Sequence, residues 1–403
     1  AGVAQAALLF RQDRPAPPLP PSLAAMSADL DSVFIIDESA DEALGAAMQK
    51  QDAARAAGDE RGRALALIKA ADALVLMDRP DEAYGSVGEA MAMCSDMKFE
   101  EGRAAAMNVM TKIHVKKGKD EEELEEALDS AMDTLKLFRK LAYRKGEAVA
   151  LTTLASVHHA SQKSALSIKS AKEALAIFAE LGEKRSMAEL YKAVMAGYLI
   201  KTPPEYFLAA KQMHKAAALY QELGDKSKEG SCMLSVATVE KSAGEVKKAA
   251  EALQKATDLF VEAADVTGQA ATLETTMGML LDAGMYKDAV KVGKERVTIF
   301  RNAGDMHSEG KALLKLGDVM MKNDDYEKAS RCAEAAMGLF GNDMEALMSA
   351  KELMDGAKHA KAAEEIEASI AKASEGMHVP ATLIVDPGLN KRITGDWAKA
   401  ITG

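Results

Sequence analysis

The segment LYQELGD at residues 219–225 recurs along the chain in altered form. LFVEAAD follows at 259–265 and IFRNAGD at 299–305, so the step is 40 residues. The hydrophobic pair that opens each segment recurs at steps of 40 or 42 residues, at Leu137-Phe138, Ile177-Phe178, Leu219-Tyr220, Leu259-Phe260, Ile299-Phe300 and Leu339-Phe340. A fixed period of this length indicates stacked structural repeats, each of which packs against its neighbours.

Each unit predicts two helices, called helix A and helix B, because apolar residues recur at helical spacing. In the first full unit we expect helix A over 63–77 and helix B over 81–93. Small residues recur where helix B should cross helix A, and close packing of the two helices requires them. They are Ala83, Ala127, Ser167, Ala209, Ala249, Ala289 and Ala329. A later helix-B position reads Ala90, Thr134, Ala174, Ala216, Ala256, Arg296 and Ala336, and Arg296 breaks that series.

This pattern resembles the tetratricopeptide repeat (TPR) family over residues 59–340. Leu313, Leu316-Gly317 and Met320 come nearest to the helix-A signature, and Ala329 matches the small residue early in helix B. The closing proline of the family is missing. The 40-residue period is similar to the longer-repeat branch, as in rapsyn, kinesin light chain and Pins-type proteins. The resemblance implies an all-α fold, a right-handed superhelical α-solenoid of TPR-like helix-turn-helix repeats.

Three regions follow from the repeat count. Residues 1–37 form a Pro-rich N-terminal tail, which we expect to be flexible. Residues 38–375 form the solenoid, with a half-repeat, seven repeats and a capping helix from 343 to about 374. Residues 376–403 form an extended C-terminal tail that could dock on the solenoid. Extra residues at 116–123 and 202–204 should lengthen loops between helix A and helix B.

Composition limits the class of protein. Hydrophobic residues make up 48% of the 403 residues and aromatic residues only 4%, which disfavours both disorder and a mainly β fold. The net charge of −11 argues against nucleic acid as a partner, because phosphate binding needs a basic surface. No apolar run is long enough for a transmembrane segment. Three widely spaced cysteines favour a reducing compartment, either the cytoplasm or an organellar lumen or matrix.

The resemblance implies that helix A lines a concave groove, where family members bind peptides. Neither the Asn/Lys pattern of chaperone-binding members nor the Asn run of Pins-type members is present. The lining residues that we predict to contact a partner are Asn108, Lys112, Thr152, Ser156, Lys192, Leu234, Thr238, Glu274, Leu314 and Asp318. The alternative is that this face is merely solvated.

The predicted function is therefore a non-catalytic scaffold or adaptor that binds a peptide or helix of a partner protein, as a possible subunit of a larger assembly. The alternative is a motor-cargo or vesicle-trafficking adaptor, similar to kinesin light chain or the NSF attachment proteins. Because the sequence contains none of the common catalytic motifs, we predict no enzyme activity and no cofactor. His114 and His158 occupy equivalent positions in consecutive units, and we expect packed or surface histidines rather than a metal site.

Two motifs lie in the tails. Arg14, Pro17 and Pro20 belong to a basic PxxP segment that could bind an SH3 domain, although a plain linker is the simpler interpretation. Residues 1–25 precede Met26 and could instead be a targeting segment or translated leader. In the C-terminal tail, Trp397 follows an apolar stretch, so this segment could occupy the groove as a pseudo-ligand.

Overall fold

A computed structural model describes residue 34 and residues 39–118 and 120–375. In those ranges the chain forms sixteen α-helices and no strand. The helices are α1 (Ala40–Ala57), α2 (Glu60–Leu76), α3 (Pro80–Asp96), α4 (Glu100–Lys117), α5 (Glu121–Lys140), α6 (Arg144–Ala160), α7 (Ser164–Leu181), α8 (Lys184–Leu199), α9 (Tyr206–Leu223), α10 (Lys226–Ser242), α11 (Val246–Glu262), α12 (Val266–Asp282), α13 (Tyr286–Ala303), α14 (Met306–Lys322), α15 (Tyr326–Met337) and α16 (Met344–Glu375).

These helices form the repeated A/B pairs that the sequence predicts, so the all-α repeat fold is confirmed. Helix α1 is followed by pairs that begin with α2/α3 and end with α14/α15, and α16 comes last. The chain divides into two compact units with the boundary between Gly268 and Gln269, inside α12. This boundary falls within the range 38–375 that the sequence assigns to one repeat domain. Each unit is described by itself below.

The turn residues of the repeat explain where many of the helices begin and end. Asp225 and Asp305 each accept a hydrogen bond from the backbone N–H three residues later and so cap α10 and α14. Gly182, Gly224 and Gly304 end the preceding helix B with φ of 72°, 73° and 73°. Glycine suits these positions because it adopts positive φ without steric cost.

Helix ends differ slightly from the predictions. The first helix A runs from Glu60 to Leu76 rather than over 63–77, because Asp59 caps it from outside the apolar pattern. The first helix B runs from Pro80 to Asp96 rather than over 81–93, since proline is favoured in the first turn of a helix. Helix α16 ends at Glu375, one residue beyond the expected end.

The small residues lie at the helix crossings, as predicted. All seven members of the first series are buried. In the second series every alanine and Thr134 are buried too. Arg296 stands at the same position of α13 with a side chain that is only 12% exposed. The sequence break therefore places a charged side chain where other repeats pack an alanine.

Both predicted insertions lie between a helix A and the following helix B. The first does not lengthen the loop, in contrast to the prediction, because α4 extends to Lys117 and α5 begins at Glu121; the extra residues lengthen α5, which has 20 residues. The second lies between α8 and α9. Among the described residues, no helix combines the length and the apolar character needed to cross a membrane.

The tail motifs lie outside the described residues: Arg14, Pro17, Pro20, Trp397 and the segment 376–403. Phe34 is an exception within the predicted flexible tail. Its ring stacks on Tyr143 with centroids 6.5 Å apart, and it meets the edge of Phe138 at 6.5 Å. At Phe34 the chain therefore packs against the core of the first unit.

Candidate functional site

The predicted lining residues of the first unit are not equally accessible. Ser156 and Thr238 are exposed, and Thr152, Lys192 and Leu234 are partly exposed. Asn108 is 1% exposed, so the prediction that it lines an open face is wrong. The reason is that α4 packs directly against both α2 and α6, which covers the helix-A face at this end. Its side-chain amide has no hydrogen-bond partner within the described chain.

Lys112 is held by an ion pair between consecutive A helices. Its Nζ lies 2.6 Å from Oδ1 of Asp72, whose side chain is 2% exposed, whereas that of Lys112 is 29% exposed. A buried carboxylate is unfavourable without such a partner. Lys112 therefore neutralises Asp72, and this structural role leaves less of its charge for a ligand.

Lys192 is also engaged within the first unit. Its Nζ donates to both carboxylate oxygens of Glu189 at 2.8 and 3.0 Å, and the Tyr220 hydroxyl donates to the same carboxylate. Burial alone would raise the pKa of Glu189, but these two hydrogen-bond donors outweigh it and hold the pKa below its usual value. The cluster is satisfied internally.

The hydroxyl groups of this face bond within their own helices. Thr152 donates to the Ala148 carbonyl at 2.9 Å, and Thr238 donates to the Leu234 carbonyl at 3.1 Å. Ser156 donates to the Thr152 carbonyl at 3.3 Å. Each hydroxyl keeps acceptor capacity but has used its proton, so this surface offers few free donors.

The second unit brings Glu274, Leu314 and Asp318 together. They line a pocket of about 650 Å³ between α12, α13, α14 and α16, hereafter the second-unit pocket. Its other lining residues are Arg296, Lys311, Lys315, Ser349, Glu352 and Leu353. Three of the ten predicted partner-binding residues therefore converge on one site.

One ion pair lies in the second-unit pocket. Nη2 of Arg296 donates to Oε2 of Glu274 at 2.8 Å. The Glu274 side chain is 46% exposed, so the cation of this pair is the buried partner. The Arg296 guanidinium also lies over the Phe300 ring, 5.6 Å from its centroid.

Four further charged groups line the pocket without a salt bridge to the described residues: Lys311, Lys315, Asp318 and Glu352. Partial burial raises the pKa of Asp318, although Lys315 and Lys322 oppose that shift. A pocket with unpaired charges of both signs can accept a polar segment of a peptide.

His158 lines a smaller pocket of about 300 Å³ between α5, α6 and α7, together with the partly exposed Met132 and Leu166. The imidazole is 8% exposed, and its Nδ1 has no partner among the described residues. Burial, followed by the charge of Lys163, lowers the pKa of His158. No group of three metal-ligating side chains occurs in the described part of the chain.

The three cysteines, Cys94, Cys232 and Cys332, are free and buried. Burial raises the pKa of Cys94 and of Cys232 to about 11. These thiols are therefore protonated at neutral pH, whereas the thiolate is the reactive form.

No protein-family model matches the sequence, and no curated protein matches it. A signal-transduction ATPase with numerous domains from Pyrococcus horikoshii, which carries a tetratricopeptide repeat sensor, is similar in structure. Its TM-score is 0.52 at 17% identity, and the match covers 74% of this chain and 44% of that chain.

Two further solved structures are similar at lower scores. BtubC (BKLC) from P. vanneervenii has a TM-score of 0.46 at 16% identity, over 57% of this chain and 94% of that chain. The apo form of RapI has a TM-score of 0.49 at 13% identity, over 81% of this chain and 99% of that chain. At these identities the comparisons show the fold alone. The chain has the fold of a TPR-like repeat protein.

Sequence reasoning missed Arg296 as a site residue, although it identified the break in the alanine series. Lys311 and Lys315 were also missed. They lie three residues before Leu314 and Asp318 on α14, so helical periodicity places them on the same side of the helix. Leu353 follows only from the packing of α16 beside α14.

Proposed function

We propose that this protein is a non-catalytic scaffold or adaptor that binds a peptide or helix of a partner protein on its helix-A face. The second-unit pocket is the anchoring site. The observation that carries this proposal is the convergence of Glu274, Leu314 and Asp318 on one pocket. Its volume of about 650 Å³ lies within the range usual for ligand sites, roughly 300–1,000 Å³.

The chemistry of the pocket supports a peptide ligand. Leu314 and Leu353 supply apolar surface, while Lys315 and Asp318 supply charges that form no ion pair with the described residues. Apolar anchors with a few fixed polar groups are typical of binding pockets. The net charge of −11 supports a protein partner over nucleic acid.

The first unit contributes less specific contacts in this proposal. Thr152, Ser156 and Thr238 have spent their hydroxyl protons within their own helices, and Lys192 is paired with Glu189. Leu234 supplies apolar contact area. The second-unit pocket therefore sets the register of the partner in this proposal.

Selection of random dodecapeptides on the full chain tests this function. A selected peptide should lose about tenfold or more in affinity on Asp318→Arg, because the longer side chain fills part of the pocket. Glu334→Arg makes the same change of charge at an exposed position of α15 and serves as the matched control. Equal losses for both variants, or no selected peptide at all, would contradict the proposal.

A motor-cargo or vesicle-trafficking adaptor is a narrower version of the same function. It rests on architecture alone and stays a prediction. Purification of the full chain from its native source with its bound proteins would distinguish a motor or membrane-fusion partner from other partners.

A further inference from the structure

Arg296 occupies a position that the fold uses for small side chains. The equivalent residues Ala216, Ala256 and Ala336 are fully buried at helix contacts. A guanidinium in such a place is unfavourable unless an anion and hydrogen-bond acceptors compensate its lost hydration. Helix packing alone therefore gives no reason for an arginine here.

The guanidinium is only partly satisfied. It has five N–H donors, and Nη2 bonds to a single oxygen of Glu274 at 2.8 Å. Nε and Nη1 are buried and have no hydrogen-bond partner within the described chain. The pair therefore has one contact point, whereas an arginine and a carboxylate commonly form two parallel hydrogen bonds.

The Glu274 carboxylate can separate from Arg296. Its side chain is 46% exposed, so its carboxylate can rotate into water at little cost, whereas Arg296 stays buried. Lys311 and Lys315 line the same pocket and add positive charge. Asp318 and Glu352 lie there too, and they disfavour ligands with several negative charges.

We propose that Arg296 is the receptor for a single carboxylate of the bound peptide, and that Glu274 is an internal competitor which this carboxylate displaces. The inference rests on the proposed peptide-binding function and names the chemistry of the anchor. An incoming carboxylate supplies two acceptor oxygens, one of which takes the place of Oε2 of Glu274 at Nη2 of Arg296. Leu314 and Leu353 contact the apolar part of the residue that carries it.

The carboxylate can come from an aspartate or glutamate side chain or from a peptide C-terminus. Three small probes distinguish these sources: N-acetylglutamate α-amide, N-acetylleucine and the neutral control N-acetylglutamine amide. Each probe is titrated into the full chain while the Nε–H resonance of Arg296 is followed by NMR. Its assignment comes from the peak that Arg296→Ala removes.

Substitutions of Glu274 and of Arg296 should change the affinity for a carboxylate probe in opposite directions. Glu274→Gln should tighten binding of a carboxylate probe by about tenfold, because it removes the competing charge. In Arg296→Ala the saturable binding of the probe, followed through backbone amides of α14, should be lost. Arg331→Ala, at an exposed position of α15, is the matched control and should bind as the wild type does.

Arg296→Ala should fold, because alanine stands at the equivalent position of other repeats. If it does not, Glu274→Gln alone still decides. Unchanged or weaker binding in Glu274→Gln, or wild-type binding in a folded Arg296→Ala, would overturn the inference. Carboxylate binding without any selectable peptide would contradict the proposed function and leave this site standing, so the two failures are distinguishable.

Discussion

One ion pair in the first unit and one in the second unit are opposite in burial. In the first unit Asp72 is 2% exposed and Lys112 is 29% exposed. In the second unit the cation Arg296 is 12% exposed and the carboxylate Glu274 is 46% exposed. In each pair the more buried group depends on the more exposed one for neutralisation.

The difference assigns different roles to the two pairs. Asp72–Lys112 joins two A helices that pack directly on each other, so the pair stabilises a closed stack. Arg296–Glu274 joins α13 to α12 at the edge of a pocket. The first pair therefore belongs to the packing of the fold, whereas the second lies where a ligand can compete for it.

The largest effect should come from moving the arginine into the first unit. Ala256→Arg places a guanidinium at the position equivalent to Arg296, where Leu234 stands in place of Glu274. An unpaired buried charge should reduce the free energy of unfolding by roughly 3–5 kcal/mol, measured by urea denaturation.

The double variant Ala256→Arg with Leu234→Glu is the control for that substitution. It should recover part of the loss, because it supplies the missing carboxylate. A single variant as stable as the wild type would mean that this position tolerates charge in any repeat and that Arg296 is not special.

The next effect concerns the pair in the first unit. Lys112→Met should cost roughly 2–3 kcal/mol in unfolding free energy, because it leaves the Asp72 carboxylate buried and unpaired. Asp72→Asn should cost less, since the Lys112 ammonium can reach water. The reverse order in denaturation experiments would contradict the assignment of Asp72 as the dependent partner.

In the second unit we expect the opposite order: removing the carboxylate should cost more stability than removing the cation. Glu274→Gln should reduce the unfolding free energy by about 1–2 kcal/mol, because Arg296 stays buried without its anion. Arg296→Ala should cost less, since Glu274 is half exposed. If Arg296→Ala lost more unfolding free energy than Glu274→Gln, Arg296 would have a purely structural role. The two units would then not differ in the role of their ion pairs.

The smallest effect should be a pH dependence of the first unit. The pKa of His158 is lowered by burial and by Lys163, so at mildly acidic pH the unfolded chain binds a proton that the folded chain resists. Stability should therefore fall as the pH drops through about 6.5, the ordinary value for histidine, and level off below the folded pKa.

His158→Gln should remove this contribution. The measurement is the difference in urea midpoint between wild type and variant at pH 7.5 and pH 5.5, which cancels carboxylate titrations common to both. We expect the wild type to lose more stability at the lower pH, and an identical difference at both values would contradict the pKa direction.

The sequence predicted the repeat fold well, because its signals are local and repeated. The turn glycines, the capping aspartates and the small residues at helix crossings recur every 40 residues or so, and each has one physical meaning in such a fold. The site was harder to predict, because the position of a residue along helix A does not determine how closely neighbouring A helices approach. Asn108 has the same register as Thr152, yet it is buried where α4 packs against α2 and α6.

Contacts between residues far apart in sequence also could not be predicted from the helical periodicity. The Tyr220 hydroxyl of α9 donates to Glu189 of α8, a contact across 31 residues that follows only from packing. Arg296 was visible as a break in the alanine series. Its partner could not be identified until α12 and α13 were placed side by side.

The most direct measurement of the central claim is methyl NMR of the full chain, with labelled leucine and methionine, bound to a selected peptide. The account predicts that the methyl resonances of Leu314 and Leu353, which line the second-unit pocket, shift on binding. Those of Met132 and Leu166, which line the smaller pocket between α5, α6 and α7, should stay in place. Shifts at Met132 and Leu166 without shifts at Leu314 and Leu353 would contradict it.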